Sequence, residues 1–475
     1  MPRPGVIFTE SSAPASRGAP TDTSTLFVAG VTEYGPTNRA VLVRSIGDYQ
    51  RIFGARVSYG TLYDYLDVAF REGLSRAYVA RQAGPDAAEA TVNIPGATGT
   101  SIVATATAAG DYYNSLDVKA VASGSGFKLQ VLDGDGVVLA ESAELTHKDQ
   151  ASGFQNDYVA FSAGAGDATP TTGATAYSLA GGDDDRAAIT QAEKDTALAL
   201  FTRTLGGGRV AFPGDTSAAA HAGLANHAEA NNRIGWADMA DTPTVGTITS
   251  AAATNSALGN ADRLAMFAGS VLVPGTGGTT RSVPLSAAQA GREAFRDSRG
   301  RVGDVAAFDD YPYSYVTALS QNYSDADVET LVLAGVNVAK DVFGSLELFS
   351  YVTAQSRDDG TYWMLNAANI RMAIQARAER IGYAFLGKTI DGQGRALGSL
   401  EGALKGELLR FFEDGALFGD LPSDAFNVVA DFSNNPPSSL AAGDVFASLN
   451  VRISPYAEWV TIDLVTTPIT QAITA

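Results

Sequence analysis

The sequence predicts a multidomain α/β (α+β) chain. It has a compact α/β core, a β-rich domain inserted on the outside of that core, a C-terminal domain, and extended N- and C-terminal arms. Three observations predict this. Strand-like and helix-like segments alternate over residues 26–82 and again over 181–350. Between them, residues 83–180 turn to Ala, Gly, Thr, Ser and Asp with short alternating patterns. Both ends carry β-prone runs, "GVIFTE" and "EWVTIDLVTT", where chain termini are ordinarily polar and frayed.

The elements follow in order. Residues 1–25 are rich in Pro, Ser, Thr and Ala and read as an arm. "LFVAGV" is a buried strand, "EYGPTN" a turn and "AVLV" a second strand. Ser45 is placed to cap the short helix "IGDYQRIFG", with Gly54 near its end. "LYDYLDVAFREG" sets Leu62, Tyr65, Leu66 and Ala69 on one helical face with Gly73 at its close, and "SRAYVARQ" is the next strand. In the insertion, Phe127, Leu129 and Val131 alternate with Lys128 and Gln130 before a "DGDG" hairpin turn.

From Leu179 the core pattern resumes. "TQAEKDTALALFTRTLG" predicts a helix, "GRVAFPG" a strand, "SAAAHAGLANHAEANNR" a helix and "IGWADMAD" a strand. Ser324 is a good N-cap for a helix starting near Asp325. The C-terminal domain, 351–455, holds two strong helices. Ile370, Ile374, Ile381 and Phe385 mark the first; Leu400, Leu404, Leu408 and Phe411 share one face of the second. In the strand that follows, Leu449, Val451 and Ile453 are expected to face the core, with Ser448, Asn450 and Arg452 opposite. Residues 456–475 form the C-terminal arm.

The chain has 475 residues, 45% hydrophobic and 18% charged, a folded composition long enough for several domains. It has no cysteine, which excludes disulfides, thiolate catalysis and cysteine-zinc sites. The opening "MPRPGVIFTESS" lacks the apolar stretch of a signal peptide, and no apolar run reaches the length of a membrane span. The expectation is a soluble protein of the cytosol, or one assembled there, without membrane insertion. The formal net charge of −19 argues against non-specific nucleic-acid binding, which needs a basic face.

Catalytic signals are poor. His221 and His227 lie six apart on a predicted helix, do not share a face as an i, i+4 pair would, and are expected to be exposed. The acids Asp183 to Asp185 read as a solvated turn before a helix. Gly206 to Gly208 lacks the Lys-Ser/Thr of a phosphate loop, and "GQGRALG" (392–398) has the wrong spacing for a dinucleotide fingerprint. Both read as flexible connections. "LDGDG" (132–136) lacks the remaining acids of a calcium loop and reads as a hairpin turn. No catalytic, metal or cofactor residue is assigned, and no cofactor is expected.

Taken in order, these segments resemble the contractile tail sheath proteins of bacteriophages and related contractile injection systems. The resemblance rests on "RPGVIFTE", "TLFVAGVTEYGPTNRAVLVRSIGDYQRIFG" and "LYDYLDVAFREGLSRAYVARQ" at the start, and on "GRVAFPG" and "LAGVNVAKDVFGSLELFSYVT" in the middle. It is fullest in "LRFFEDGALFGDLPSDAFNVVADFSNNPPSSLAAGDVFASLNVRISPYAEWVTIDL" at the end. It covers most of the chain outside 83–180. The stretch "SRDDGTYWMLNAANIRM" departs from the family, holding only Arg357, Tyr362, Trp363 and Arg371 of its usual aromatic and basic residues.

The resemblance implies a non-enzymatic structural subunit of a virion tail, assembled in the host bacterial cytoplasm. It implies stacked hexameric rings of this chain around a tail tube protein, with baseplate and tail terminator proteins as further partners and no direct nucleic-acid contact. It also implies terminal strands that complete a sheet in neighbouring subunits. Here these are Val6, Ile7, Phe8 and Thr9, and Trp459, Val460, Thr461, Ile462, Asp463, Leu464 and Val465, with Pro455 as the hinge. Seven extended residues span about 23 Å. Val460, Ile462 and Leu464 would be the buried set. The competing expectations are that both runs are edge strands of their own subunit, and that the chain is an α/β enzyme with a β-rich insertion.

Overall fold

In a computed structural model that describes residues 22–462, β1 (Thr25–Gly30) runs through the middle of a seven-stranded sheet. Beside it lie β2 (Val41–Val43), α1 (Ile46–Phe53), α2 (Leu62–Arg71) and β3 (Ala77–Arg81). The side chain of Ser45 accepts the Asp48 N–H at 3.1 Å and Gly54 ends α1 at φ 87°, as the sequence predicts. Leu62, Tyr65, Leu66 and Ala69 are all buried.

The insertion contains β4 (Glu89–Pro95), β5 (Thr100–Ala109), β6 (Asp117–Ser123), β7 (Gly126–Leu132), β8 (Val138–Glu141), β9 (Val159–Ala163) and β10 (Tyr177–Ser178). They form two antiparallel sheets, ordered β4-β5-β9 and β10-β6-β7-β8. Ile94, Ile102 and Ala104 of one sheet pack with Phe127, Leu129 and Val131 of the other. The "DGDG" turn forms as expected: the Asp133 carboxylate accepts the N–H groups of Asp135 and Val137.

The core continues with α3 (Gln191–Ala199), β11 (Gly208–Ala211), α4 (Ala218–Asn231), β12 (Ile234–Asp238), α5 (Val245–Ser256) and β13 (Leu264–Phe267). Then come β14 (Ser270–Pro274), β15 (Thr280–Pro284), α6 (Leu285–Ser298), β16 (Ala318–Leu319), α7 (Asp325–Leu333), β17 (Val336–Asn337) and the hairpin β18 (Ala339–Val342) and β19 (Ser345–Leu348). Ser324 caps α7 reciprocally with Asp327. The main sheet runs β17-β13-β12-β11-β1-β3-β2, parallel except at β2. Alternate residues feed two cores. Leu26 and Val28 pack under α1, α2 and α6; Phe27 and Ala29 pack under α3, α4, α5 and α7.

The C-terminal domain is built from α8 (Leu365–Phe385), α9 (Arg395–Glu413), α10 (Pro422–Ala425), β20 (Phe426–Val429), α11 (Pro437–Ala442) and β21 (Ser448–Val451). The stripe Leu400, Leu404, Leu408 and Phe411 is buried against Ile370 and Ala373 of α8. Each such side chain contributes about 1.5–3 kcal/mol by leaving water. The first half of α8 also places Leu365, Ala368 and Met372 in the main core, so one helix ties the C-terminal domain to the sheet.

Four expectations are corrected. The triple glycine is no flexible connection. Gly208 opens β11 at φ 148°, and a Cβ there would run into the Thr25 carbonyl across the ladder, so only glycine fits. Asp184 does not sit in a solvated turn: it is 2% exposed and ion-paired with Arg81 and Arg186. His221 is 1% exposed, its Nε2 lying 3.2 and 3.1 Å from the carbonyls of Asp215 and Asp238 and its Nδ1 2.9 Å from Asn255. The small residues of α4 let it press onto β12, which draws His221 inward. "GQGRALG" is only half connection, since α9 begins at Arg395.

Candidate strand-acceptor site

β20 and β21 pair antiparallel, Phe426 opposite Val451 and Val429 opposite Ser448. The loop joining them is fixed by the Asn-Asn-Pro-Pro motif. Asn435 is fully buried; its Nδ2 donates to the carbonyls of Asp431 and Phe446, both at 2.9 Å, and its Oδ1 accepts the Phe446 N–H at 2.6 Å. Asn434 donates to the Val429 carbonyl at 2.8 Å. Pro437 occupies the first turn of α11, where its missing N–H costs nothing.

The ladder alternates, which fixes what each edge offers. Arg452 donates its N–H to the Ala425 carbonyl at 2.8 Å, and its carbonyl accepts the Phe418 N–H at 2.9 Å. Even-numbered positions of β21 therefore point their backbone groups inward, and Leu449, Val451 and Ile453 point theirs outward. Those three residues have no backbone partner among the described residues. On β20 the same logic turns Phe426 and Val428 away from β21, but the Pro422 carbonyl takes the Phe426 N–H and Glu401 accepts the Ala430 N–H at 3.1 Å, so this edge is closed on both sides of Val428. A two-stranded sheet whose β21 edge is open is incomplete by itself. The side chains of Leu449, Val451 and Ile453 pack on the C-terminal core, as the sequence predicts. Beside the β21 edge runs a groove of about 380 Å³ lined by Tyr362, Phe418, Val451, Ile453 and Pro455.

Exposed apolar side chains concentrate in the C-terminal part of the chain. Among the described residues, eleven of the sixteen large hydrophobics that remain exposed lie at or beyond Tyr383, including Leu386, Phe418, Leu421 and Phe446.

Of the expected arm residues, Val6, Ile7, Phe8, Thr9, Asp463, Leu464 and Val465 lie outside the described residues. Trp459, Val460, Thr461 and Ile462 form no strand with their own subunit; Val460 and Ile462 are 76% and 85% exposed. Pro455 follows the last bridge, Leu417 to Ile453, yet the chain stays bound beyond it. The Tyr456 hydroxyl donates to the Tyr351 carbonyl at 2.9 Å, and Glu458 takes two hydrogen bonds from Arg357 at 2.5 and 2.6 Å. Glu458 is the last residue with a hydrogen-bonded side chain among the described residues, three beyond Pro455. The departing stretch "SRDDGTYWMLNAANIRM" builds this anchor. Arg357 lies 4.2 Å over the ring of Trp363, and Arg371 lies 4.0 Å over Tyr362. Glu458 gave no sequence signal, because a lone acid near a terminus reads as a solvated one.

A second concavity, about 720 Å³, opens where the strand order reverses between β1 and β11, the crevice that holds ligands in open α/β sheets. Its ionisable groups are committed to one another. Asp64 pairs with Arg56 at 2.8 Å and Arg281 at 2.5 Å, and Asp215 pairs with Lys194 at 2.5 Å.

This architecture, a switch-point α/β core with a β insertion and a helical C-terminal domain ending in an open strand pair, is the fold of the contractile tail sheath proteins. The sheath tail protein of Desulfitobacterium hafniense matches with TM-score 0.60 at 16% identity, over 90% of this chain and 93% of that one. The sheath tail protein of Listeria innocua matches with TM-score 0.62 at 13% identity, over 92% and 97%. The contracted helical sheath of the anti-feeding prophage matches with TM-score 0.56 at 15% identity, over 98% and 99%. No family model and no curated protein matches the sequence.

Proposed function

We propose that the chain is the structural and mechanical subunit of a contractile tail sheath. It polymerises as stacked hexameric rings around a tail tube, and its contraction drives the tube through a target cell envelope during DNA or effector delivery. The observation that carries this is the extent of the likeness. A generic α/β enzyme would share the central sheet alone, whereas a contracted sheath subunit matches over 98% of this chain. The open edge of β21 supplies what strand exchange between copies requires. Contraction needs no nucleotide when the contracted lattice has the lower free energy and the extended one is a trapped packing. Further copies of the chain, a tube protein, and baseplate and terminator proteins are the partners in this reading, in a virion or particle tail assembled in bacterial cytoplasm. A surface of net charge −19 keeps free subunits apart until strand exchange joins them.

Negative-stain imaging of purified full-length protein, beside a variant lacking residues 459–475, tests it. Tubules from the full chain and soluble, folded subunits from the shortened one are expected. Discrete small oligomers from both would favour the enzyme reading, and tubules from the shortened chain would remove the role of the C-terminal arm. Residue 459 is the right place to cut, because deleting Tyr456 and Glu458 as well removes contacts the subunit makes with itself.

A further inference from the structure

Four charged side chains lie sealed at the centre of the molecule. α6 contributes Glu293, Arg296 and Asp297, β11 contributes Arg209, and none exceeds 2% exposure. Arg209 bonds Glu293 at 2.5 Å and also pairs with Asp297; Arg296 lies 2.8 Å from Glu293 and 2.6 Å from Asp297. Two charges of each sign cancel. Burial pushes the Asp297 carboxyl up, but Arg209 and Arg296 more than reverse this and hold it below the usual carboxylate range. Asp297 therefore stays ionised.

Its outward bonds reach both ends of the described chain. The Thr23 hydroxyl donates to Asp297 at 2.7 Å, and Arg209 donates to the Thr23 carbonyl at 2.7 Å. On the other side, the Tyr351 hydroxyl bonds Glu293, accepts from Arg296 at 2.5 Å and accepts from Asn369 of α8 at 2.9 Å. The Tyr351 carbonyl accepts the Tyr456 hydroxyl at 2.9 Å, with the two rings 6.3 Å apart and near perpendicular. An unbroken path of hydrogen-bonded groups, closed at its last step through the Tyr351 backbone carbonyl, thus joins Thr23, where the described chain enters the core, to Tyr456 near its C-terminal end.

Stability alone does not account for such a cluster, since well-packed apolar residues commonly do as well. Fixing a unique arrangement is the better-attested use of buried charge. We propose that this ionic cluster is a coupling node that sets the positions of the two arm roots together, so that a displacement of one root is felt at the other. The proposal rests on the reading of the terminal segments as arms. In a lattice it makes each subunit a stiff link, passing movement from ring to ring instead of absorbing it.

Hydrogen exchange by mass spectrometry on the full-length, unassembled chain tests this, whether or not tubules form. Tyr456→Phe removes one hydroxyl at the C-terminal root; Thr23→Val removes one at the N-terminal root. Both are mild enough to fold. Coupling is reciprocal, so Tyr456→Phe is expected to speed exchange at residues 23–27, and Thr23→Val at 452–458, each by about three-fold or more. Exchange in α4 and α5 stays unchanged, and Trp459→Ala, beyond the roots, alters neither segment. Faster exchange only beside the substituted residue would overturn the node. So would a uniform rise across the chain, the signature of simple destabilisation. The tubule assay decides the sheath reading separately.

Discussion

Arg357 and Glu458 meet through two parallel hydrogen bonds of 2.5 and 2.6 Å, with the guanidinium lying over Trp363, and this pair is the last side-chain tie of the C-terminal segment among the described residues. A bidentate, charge-assisted bond contributes about 1–3 kcal/mol, and the 28% exposure of Arg357 argues for the lower end. Glu458→Ala should leave the urea midpoint of the whole domain nearly unchanged. Cleavage between residues 455 and 462 by added protease should rise by roughly five- to ten-fold, because the local opening is easier. Unchanged cleavage would mean that Tyr456 holds the segment alone.

Proline scanning separates the two faces of β21. Val451 points its N–H outward, so Val451→Pro removes a donor that its own subunit does not use. The variant should fold with a loss of about 1 kcal/mol or less and fail to form tubules. Asn450→Pro deletes a donor directed at β20 and should instead destabilise the subunit by about 3 kcal/mol. Thermal melts and negative stain on the same preparations read both outcomes. Normal tubules from Val451→Pro would show that this edge accepts no strand.

The insertion is clamped to the core by Arg81, which donates to the carbonyls of Gly35 at 2.8 Å and Ala109 at 2.7 Å and pairs with Asp184. Tyr34 stacks on Tyr112 across the same joint at 4.3 Å. Asp184→Ala leaves a buried guanidinium without its counter-charge, a loss of about 3–5 kcal/mol. The double variant Arg81→Met, Asp184→Ala should recover much of that loss, since it removes both charges. Denaturant midpoints for the two single variants and the double one measure it; additive losses would argue that the pair contributes nothing as a pair.

What the sequence discloses follows from which signals are local. The stripe of Leu400, Leu404, Leu408 and Phe411, the Ser45 and Ser324 caps and the alternation in Phe127, Leu129 and Val131 depend on neighbours in the chain, and all are found as expected. The ionic cluster was invisible for the opposite reason. Glu293, Arg296 and Asp297 are spaced like surface ion pairs, which is how charges three and four apart on a helix usually read. Only the packing of α6 against α2, where Gly291 lets the helices touch, and against β11 and α8 shows them to be inside. Asp184 misled likewise: its partner Arg81 is 103 residues away. The open strand edge was legible as β-prone residues, but that Val451 rather than Asn450 faces outward needed the register.

Asp238 gives the subunit a pH dependence with a definite sign. Its carboxyl is buried at the end of β12, where it accepts the Gly214 N–H at 2.7 Å and the Ser286 hydroxyl at 2.5 Å, and it forms no ion pair among the described residues. Burial pushes it up to about 7, and those two hydrogen bonds offset this only in part. The unfolded chain loses this proton near pH 4. Between about pH 4 and 7 the folded state holds more protons, so this group's stabilisation is complete below pH 4 and is lost as pH rises through 7. His227 acts in the opposite sense: burial, then Arg233, push it down to about 3, so its contribution falls as pH drops below about 6.5. Asp238→Asn replaces the titrating acid with a neutral group of the same shape. Relative to the natural chain it should gain stability steadily from pH 4 to 7, by a total on the order of 4 kcal/mol at most. What remains is a rise with pH from His227. Urea midpoints at pH 4.5, 6 and 8 measure the difference, and a gap that stays constant with pH would place the Asp238 titration outside this range.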